Sequence, residues 1–109
     1  MDPEQLVEHV EGTFAKCISI LKKKNTDYSG CSSNAFRNFT YVELIGITSV
    51  EAGILVRLSD KFTRLGNLIK SDPAVVEEKM EDTIEDAINY LAILHSYVVA
   101  KKNGDNPLK

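Results

Sequence analysis

The chain has 109 residues, 43% of them hydrophobic, with no Trp and two Cys, which sets the scale of one small globular domain over residues 1–109 and excludes a multidomain arrangement. A monomer of this length buries roughly 65% of the surface its unfolded chain exposes, so its core is modest and a homo-oligomer is expected. Thirteen basic against 16 acidic residues leave a net charge of −3, the wrong sign for a binder of long DNA or RNA. The opening Met1-Asp2-Pro3-Glu4-Gln5 lacks the basic and apolar regions of a signal peptide, and no apolar run reaches the ~20 residues of a membrane span. A cytoplasmic protein with no membrane partner is therefore expected. Cys17 falls on an apolar stripe and Cys31 in a polar stretch; the two alone make neither a disulfide framework nor a zinc site.

Asp2 as N-cap and Pro3 at the first helical position open a helix. Leu6, Val7, Val10, Phe14, Cys17, Ile18 and Leu21 mark its apolar face, and the 3,4 spacing predicts a helix from about Pro3 to Lys24. Asn25 to Asn34 is rich in turn formers and reads as a loop, which with Ala35 to Phe39 makes an unusually long connection. Phe36 and Phe39 argue that it is packed. Thr40 with Glu43, and Thr48 with Glu51, have capping-box spacing, which predicts a short helical turn and then a new helix, with Gly46 at the break. The next helix is expected from about Ser49 to Lys70, with Val50, Ile54, Leu55, Leu58, Phe62, Leu65 and Ile69 inward. Pro73 after Ser71-Asp72 restarts a helix that should run to Lys101 or Lys102, before Gly104. Its expected inward stripe is Val76, Met80, Thr83, Ile84, Ala87, Leu91, Leu94 and Val98. No strand-period segment or repeat is present, so the expected fold is all-α, a small bundle of three long helices plus a short one.

The densest charge lies between Glu77 and Asp86, six carboxylates against the single Lys79. That stretch carries −5 of a total of −3, which leaves the rest of the chain at +2. Glu78, Asp82, Asp86 and Asn89, spaced 4, 4 and 3 apart, form a row along one helix face. Like charges four apart repel by a few tenths of a kcal/mol. A row of them suits Mg²⁺, with Mn²⁺ as a substitute, which binds through one or two carboxylates and leaves positions for water and phosphate oxygens. A solvated acidic face is the plain alternative. Arg57, Asp60, Arg64 and Asn67 form a second row on the preceding helix, able to hold phosphate or to bridge to the acids. Lys24 to Gly30 and Asn34 to Phe39 collect the amides, acids and aromatics that hold flat heterocycles. Phosphate-loop, dinucleotide, zinc-protease and serine-hydrolase motifs are absent. His9 and His95 stand apart from each other and from the cysteines.

Taken together, Lys24-Asn25-x-Asp27-Tyr28-x-Gly30, Ala35-Phe36-x-Asn38-Phe39, Gly53-Ile54-Leu55-x-Arg57-x-x-Asp60-Lys61-x-x-Arg64-Leu65 and Glu78-x-x-x-Asp82-Thr83-x-x-Asp86-x-x-Asn89-Tyr90 resemble a small phage and bacterial family of nucleotide-modification-associated proteins. That family is similar to the all-α nucleotide pyrophosphohydrolases of the MazG type. The resemblance implies a helical bundle, dimeric or tetrameric, that uses Mg²⁺ to hydrolyse a canonical or modified (deoxy)nucleoside triphosphate to monophosphate and pyrophosphate. Within it, Asp60, Glu78, Asp82 and Asp86 would hold the metal, with Asp60, Asp82 and Asp86 catalytic. Arg57, Lys61 and Arg64 would meet the phosphates, and Lys24, Asp27, Tyr28, Asn34, Arg37, Asn38 and Asn89 complete the substrate contacts. The chain departs from the MazG acid pattern where Arg57 and Asp60 replace paired acids and where Thr83 stands three before Asp86. The alternative expectation is a non-catalytic binder that sequesters a nucleotide, for example a cyclic nucleotide signal of host immunity, in the host cytoplasm if the chain is phage-encoded.

Overall fold

The computed structural model describes residues 1–29, 34–71 and 73–106, with the side chains of 26–29 and 73–78 outside the description. Four helices follow one another, α1 (Pro3–Ser29), α2 (Arg37–Leu44), α3 (Val50–Ile69) and α4 (Pro73–Lys102), and no strand occurs among the described residues. The all-α class is as expected. None of the helices is long and apolar enough, among the described residues, to cross a membrane.

Local chemistry sets most of the helix limits. Asp2 Oδ1 accepts from Gln5 N and Gln5 Oε1 accepts from Asp2 N, both at 2.9 Å, a reciprocal cap of the kind that satisfies two orphan donors at once. The helix expected to stop near Lys24 continues to Ser29. Asn, Thr and Asp cost only tenths of a kcal/mol each inside a helix, and neither Gly nor Pro interrupts the sequence between Lys24 and Gly30. The connection to α2 therefore shrinks to residues 30–36.

Two of the expected caps shift. Thr40 is not a cap but sits buried inside α2, its hydroxyl donating to Arg37 O at 3.1 Å. Asn34 starts the turn into α2, its Oδ1 accepting from Phe36 N at 2.9 Å. Ser49 rather than Thr48 caps α3, accepting from Ala52 N at 3.1 Å; Ser and Thr are both good caps, so spacing alone leaves a one-residue ambiguity. Gly46 and Gly104 adopt positive φ values of 81° and 86°. After them Ile47 N reaches Val42 O at 2.9 Å and Asp105 N reaches Ala100 O at 3.0 Å, the six-to-one closure that ends a helix on a left-handed residue.

The core gathers Phe39, Val50, Ile54, Leu58, Ala87, Ile93 and Tyr97, with Leu21, Phe36, Tyr90 and Leu94 packed against it. Edge-to-face contacts join Phe36 to Tyr97, with centroids 5.5 Å apart, and Phe39 to Tyr90, 6.3 Å apart. α3 and α4 form an antiparallel hairpin, pinned by Lys61 to Asp86 near the middle and Lys101 to Glu51 at the far end. α2 packs on α3 at Gly53, where a Cβ would stand 3.0 Å from Val42 Cγ2, and α1 crosses α4 at Cys17.

The apolar stripes are only partly used. On α3, Val50, Ile54 and Leu58 are buried as expected, whereas Leu55, Phe62 and Ile69 are exposed. On α4 the buried set is Thr83, Glu85, Ala87, Asn89, Ile93 and Tyr97, and the expected Ile84, Leu91 and Val98 are exposed. The reason is that α4 is packed from two sides, by α3 and by α1, so its buried arc is broad and turned away from the line through Ile84, Leu91 and Val98. Among the described side chains of α1 only Cys17 is buried, while Leu6, Val7, Val10, Phe14 and Ile18 are exposed. The radius of gyration is 16.0 Å, against about 13 Å for a compact domain of ~100 residues.

Candidate functional site

Asp86 is the point where three helices exchange charge. Lys24 of α1 reaches its Oδ1 and Lys61 of α3 reaches its Oδ2, each at 3.3 Å, and the carboxylate is 27% exposed. Both lysines sit in reach because α1 extends beyond its crossing with α4 and because Lys61 and Asp86 face each other across the hairpin. A carboxylate sharing two ammonium groups is fixed in place, and the two cations are held close together where a small anion can reach them. One turn earlier on α4, Asp82 is exposed.

Lys61 also borders a second feature. With Asp60, Arg64 and Asn67 of α3, and Lys79 of α4, it lines an open groove of about 450 Å³, closed by Thr63, Leu68 and Ser71. Three cations and one carboxylate there give it a positive balance. The groove therefore continues the charge of the Asp86 junction along the hairpin.

Other residues singled out by the sequence are placed differently. Arg57 lies with its guanidinium 4.6 Å from the centroid of Phe39 and donates to Asn38 O at 3.3 Å, a stacked arrangement that holds α3 to the start of α2. Asn38 thus takes part through its carbonyl, and Arg37 is exposed at the first position of α2. Asn89 is buried, its Nδ2 donating to Cys17 O at 3.1 Å, and so it joins α4 to α1 instead of facing the junction. The side chains of Asp27, Tyr28 and Glu78 lie outside the described residues, as does Cys31.

Spacing gave no notice of the Lys16–Glu85 pair. Glu85 is buried; its Oε1 accepts from Lys16 Nζ at 2.9 Å, and its Oε2 has no hydrogen-bond partner in the described structure. The Lys16 ammonium is held above the usual lysine range by this hydrogen bond and by the Glu85 charge, with Asp82 and Glu81 adding to it. Burial raises the Cys17 thiol, which leaves it protonated and unreactive. Tyr97, also absent from the expected stripe, is the largest fully buried side chain. Its hydroxyl donates to Glu43 Oε2 at 3.5 Å, and burial first, then the charges of Glu43 and Glu51, push it up to about 12. The only sequence signal for either was their position two to four residues from apolar neighbours on α4.

Among the described residues no three carboxylate, imidazole or thiol groups converge as a ready-made metal site. The donors that α4 offers a hard cation are Asp86 and Asp82, four residues apart on one face. Two carboxylates with phosphate oxygens form a donor set that Mg²⁺ accepts. Asp60 lies on the groove instead. Compared with family models, curated proteins and solved structures, the chain matches none. What the fold and site define is a small all-α protein with a two-lysine carboxylate junction opening onto a cationic groove.

Proposed function

We propose that the chain binds a nucleotide by its phosphates at the junction of α1, α3 and α4. The observation that carries this reading is the convergence of Lys24 and Lys61 on the single carboxylate of Asp86. Two ammonium groups gathered on one carboxylate offer charged donors for which a phosphate chain with several negative charges competes. From there the phosphates would run into the groove past Lys61 toward Arg64 and Lys79. Its volume is within the range of small-molecule sites. Base and sugar contacts from Asp27, Tyr28, Asn34 and Asn38 belong to the same proposal, as does the cytoplasm, where nucleotides are abundant.

Two finer readings share this ligand. Hydrolysis of a nucleoside triphosphate to monophosphate and pyrophosphate is supported by the Asp82 and Asp86 pair, which would hold a Mg²⁺ against the phosphate oxygens; a bound Mg²⁺ supplies Lewis-acid polarisation of the phosphate. In that reading Lys24, Lys61 and Arg64 steady the charge that builds on the oxygens as water attacks. Retention of an intact nucleotide is supported by the engagement of both Asp86 oxygens by lysines, which makes Asp86 a holder of cations in its own right. Melting shifts across nucleoside triphosphates and cyclic nucleotides, with and without Mg²⁺, test the shared proposal. A ligand at about 100 times its dissociation constant adds about 2.7 kcal/mol of stability. No shift with any nucleotide overturns the proposal. Release of pyrophosphate with Mg²⁺ then selects hydrolysis, and recovery of unchanged nucleotide after prolonged incubation selects retention.

A further inference from the structure

α1 and α4 meet at Cys17, and toward the start of α1 they leave between them an open groove of about 420 Å³. None of its lining residues belongs to the Asp86 junction or to the groove on α3. Its charge is of the opposite sign to that groove, because Glu8, Glu81 and Glu85 line it against the single ammonium of Lys16. Lys16 registers the same field: its hydrogen bond to Glu85 first, then the Glu85 charge, hold it above the usual lysine range, and Asp82 and Glu81 add to this.

One atom beside the groove lacks a partner. Glu85 is only 5% exposed; its Oε1 accepts from Lys16, while its Oε2 is closed off from solvent and accepts no hydrogen bond among the described residues. The groove's own hydroxyl, on Thr13, is already spent on His9 O at 3.0 Å. A buried carboxylate oxygen left without a donor is costly, so a donor is wanted here, and the surrounding charge favours a positive one. The opposite wall leaves room for it. Gly12 lies inside α1, where glycine is a poor helix former, and no close packing accounts for it, since a Cβ there would meet nothing within 4 Å. Ile84 adds a partly exposed apolar surface to the same space.

We infer that the groove takes a small organic cation, an alkyl di- or polyamine, with one ammonium donating to Glu85 Oε2, another to Glu81 or Glu8, and the alkyl chain lying along Ile84 past Gly12. A metal ion suits the site less well, because among the described residues no three carboxylate, imidazole or thiol groups are gathered to hold one. Glu81 and Glu85 instead stand one helical turn apart, about 6 Å along the axis, a separation that a short alkyl chain spans between two ammonium groups. Methylene groups also leave water against Ile84, a gain that a hydrated metal ion does not have. An anion would meet three like charges.

The inference is independent of the nucleotide proposal, and its test uses amines alone. Calorimetric titration of putrescine and of spermidine into the full chain at physiological ionic strength is expected to show saturable binding, with spermidine the tighter. Glu85→Gln keeps the shape of the side chain and removes its charge, and is expected to weaken binding by about tenfold or more. Gly12→Leu alters no charge and fills the groove. Leucine is the better helix former, so the melting temperature is expected to hold or rise while amine affinity falls by about tenfold or more, which keeps the test decisive even if Glu85→Gln fails to fold. Absence of saturable binding of either amine overturns the inference. So does equal affinity in the wild type and Gly12→Leu, the mark of general attraction to the acidic stretch of α4, and so does displacement of bound spermidine by equimolar Mg²⁺.

Discussion

On one side of the α3–α4 hairpin, Arg57, Lys61 and Asp86 are tied to α1 and α2 by a stacked ring, a carbonyl and a shared carboxylate; elsewhere on the same two helices, Phe62 and Leu91 stand half exposed. The difference lies in what each set requires of its surroundings. Charged groups in partial burial need partners of opposite sign, which the same chain supplies from α1. Apolar groups need only coverage, which this short chain does not supply to every face.

Beneath both lies the buried core, and breaking it should have the largest effect. Ile54→Ala removes a fully buried side chain and is expected to cost about 2–5 kcal/mol in urea unfolding. The alkaline limb of stability comes next. Because Tyr97 is raised from 10.0 to about 12 in the folded chain, its contribution is fully present below pH 10 and is lost as pH rises toward 12. Roughly 2–3 kcal/mol should disappear over that interval, and Tyr97→Phe should flatten the slope there, measured as denaturation midpoints against pH. Lys16, also raised, acts in the same direction.

The charged side should respond in function more than in stability. Asp86→Asn is expected to change stability by about 1 kcal/mol or less, since the pairs it makes are partly solvated. Its effect on nucleotide separates the two finer readings. If Asp86 only holds the lysines, loss of its charge tightens phosphate binding in metal-free buffer; if it also holds Mg²⁺, Mg²⁺-dependent turnover falls by tenfold or more while metal-free binding still tightens. The smallest effect is local: Ser49→Ala should cost about 1 kcal/mol through loss of the α3 cap, visible as a lowered melting temperature with no change in ligand affinity.

Much of the fold is legible in the residues alone. The all-α class, the α3 limits, the breaks at Gly46 and Gly104 and the start of α1 follow from periodicity, caps and φ preference, all of which act within a few residues. The errors come where tertiary contact decides. α1 outlasts its apolar stripe because weak helix formers do not end a helix by themselves. A single 3,4 stripe on α4 suits a helix packed on one side, so it omits Ile93 and Tyr97 and puts Leu91 and Val98 inside, whereas α4 is packed by both α3 and α1. The candidate site divides in the same way. Lys24, Lys61 and Asp86 could each be picked out by residue type, but their meeting depends on the angle at which α1 crosses α4, which no local spacing encodes. Asn89 looked like a ligand group because it continues the acid row; its carbonyl partner is Cys17, a contact 72 residues away in sequence.

In the proposed function Lys24 and Lys61 together capture a phosphate chain. Titration of nucleoside triphosphates into the wild-type chain and into Lys24→Ala and Lys61→Ala, followed by calorimetry with and without Mg²⁺, tests it most directly. Saturable binding to the wild type and a loss of about tenfold or more in each variant are expected, the size of a removed charge-assisted contact. Absence of binding by the wild type, or equal affinity in all three proteins, would contradict it.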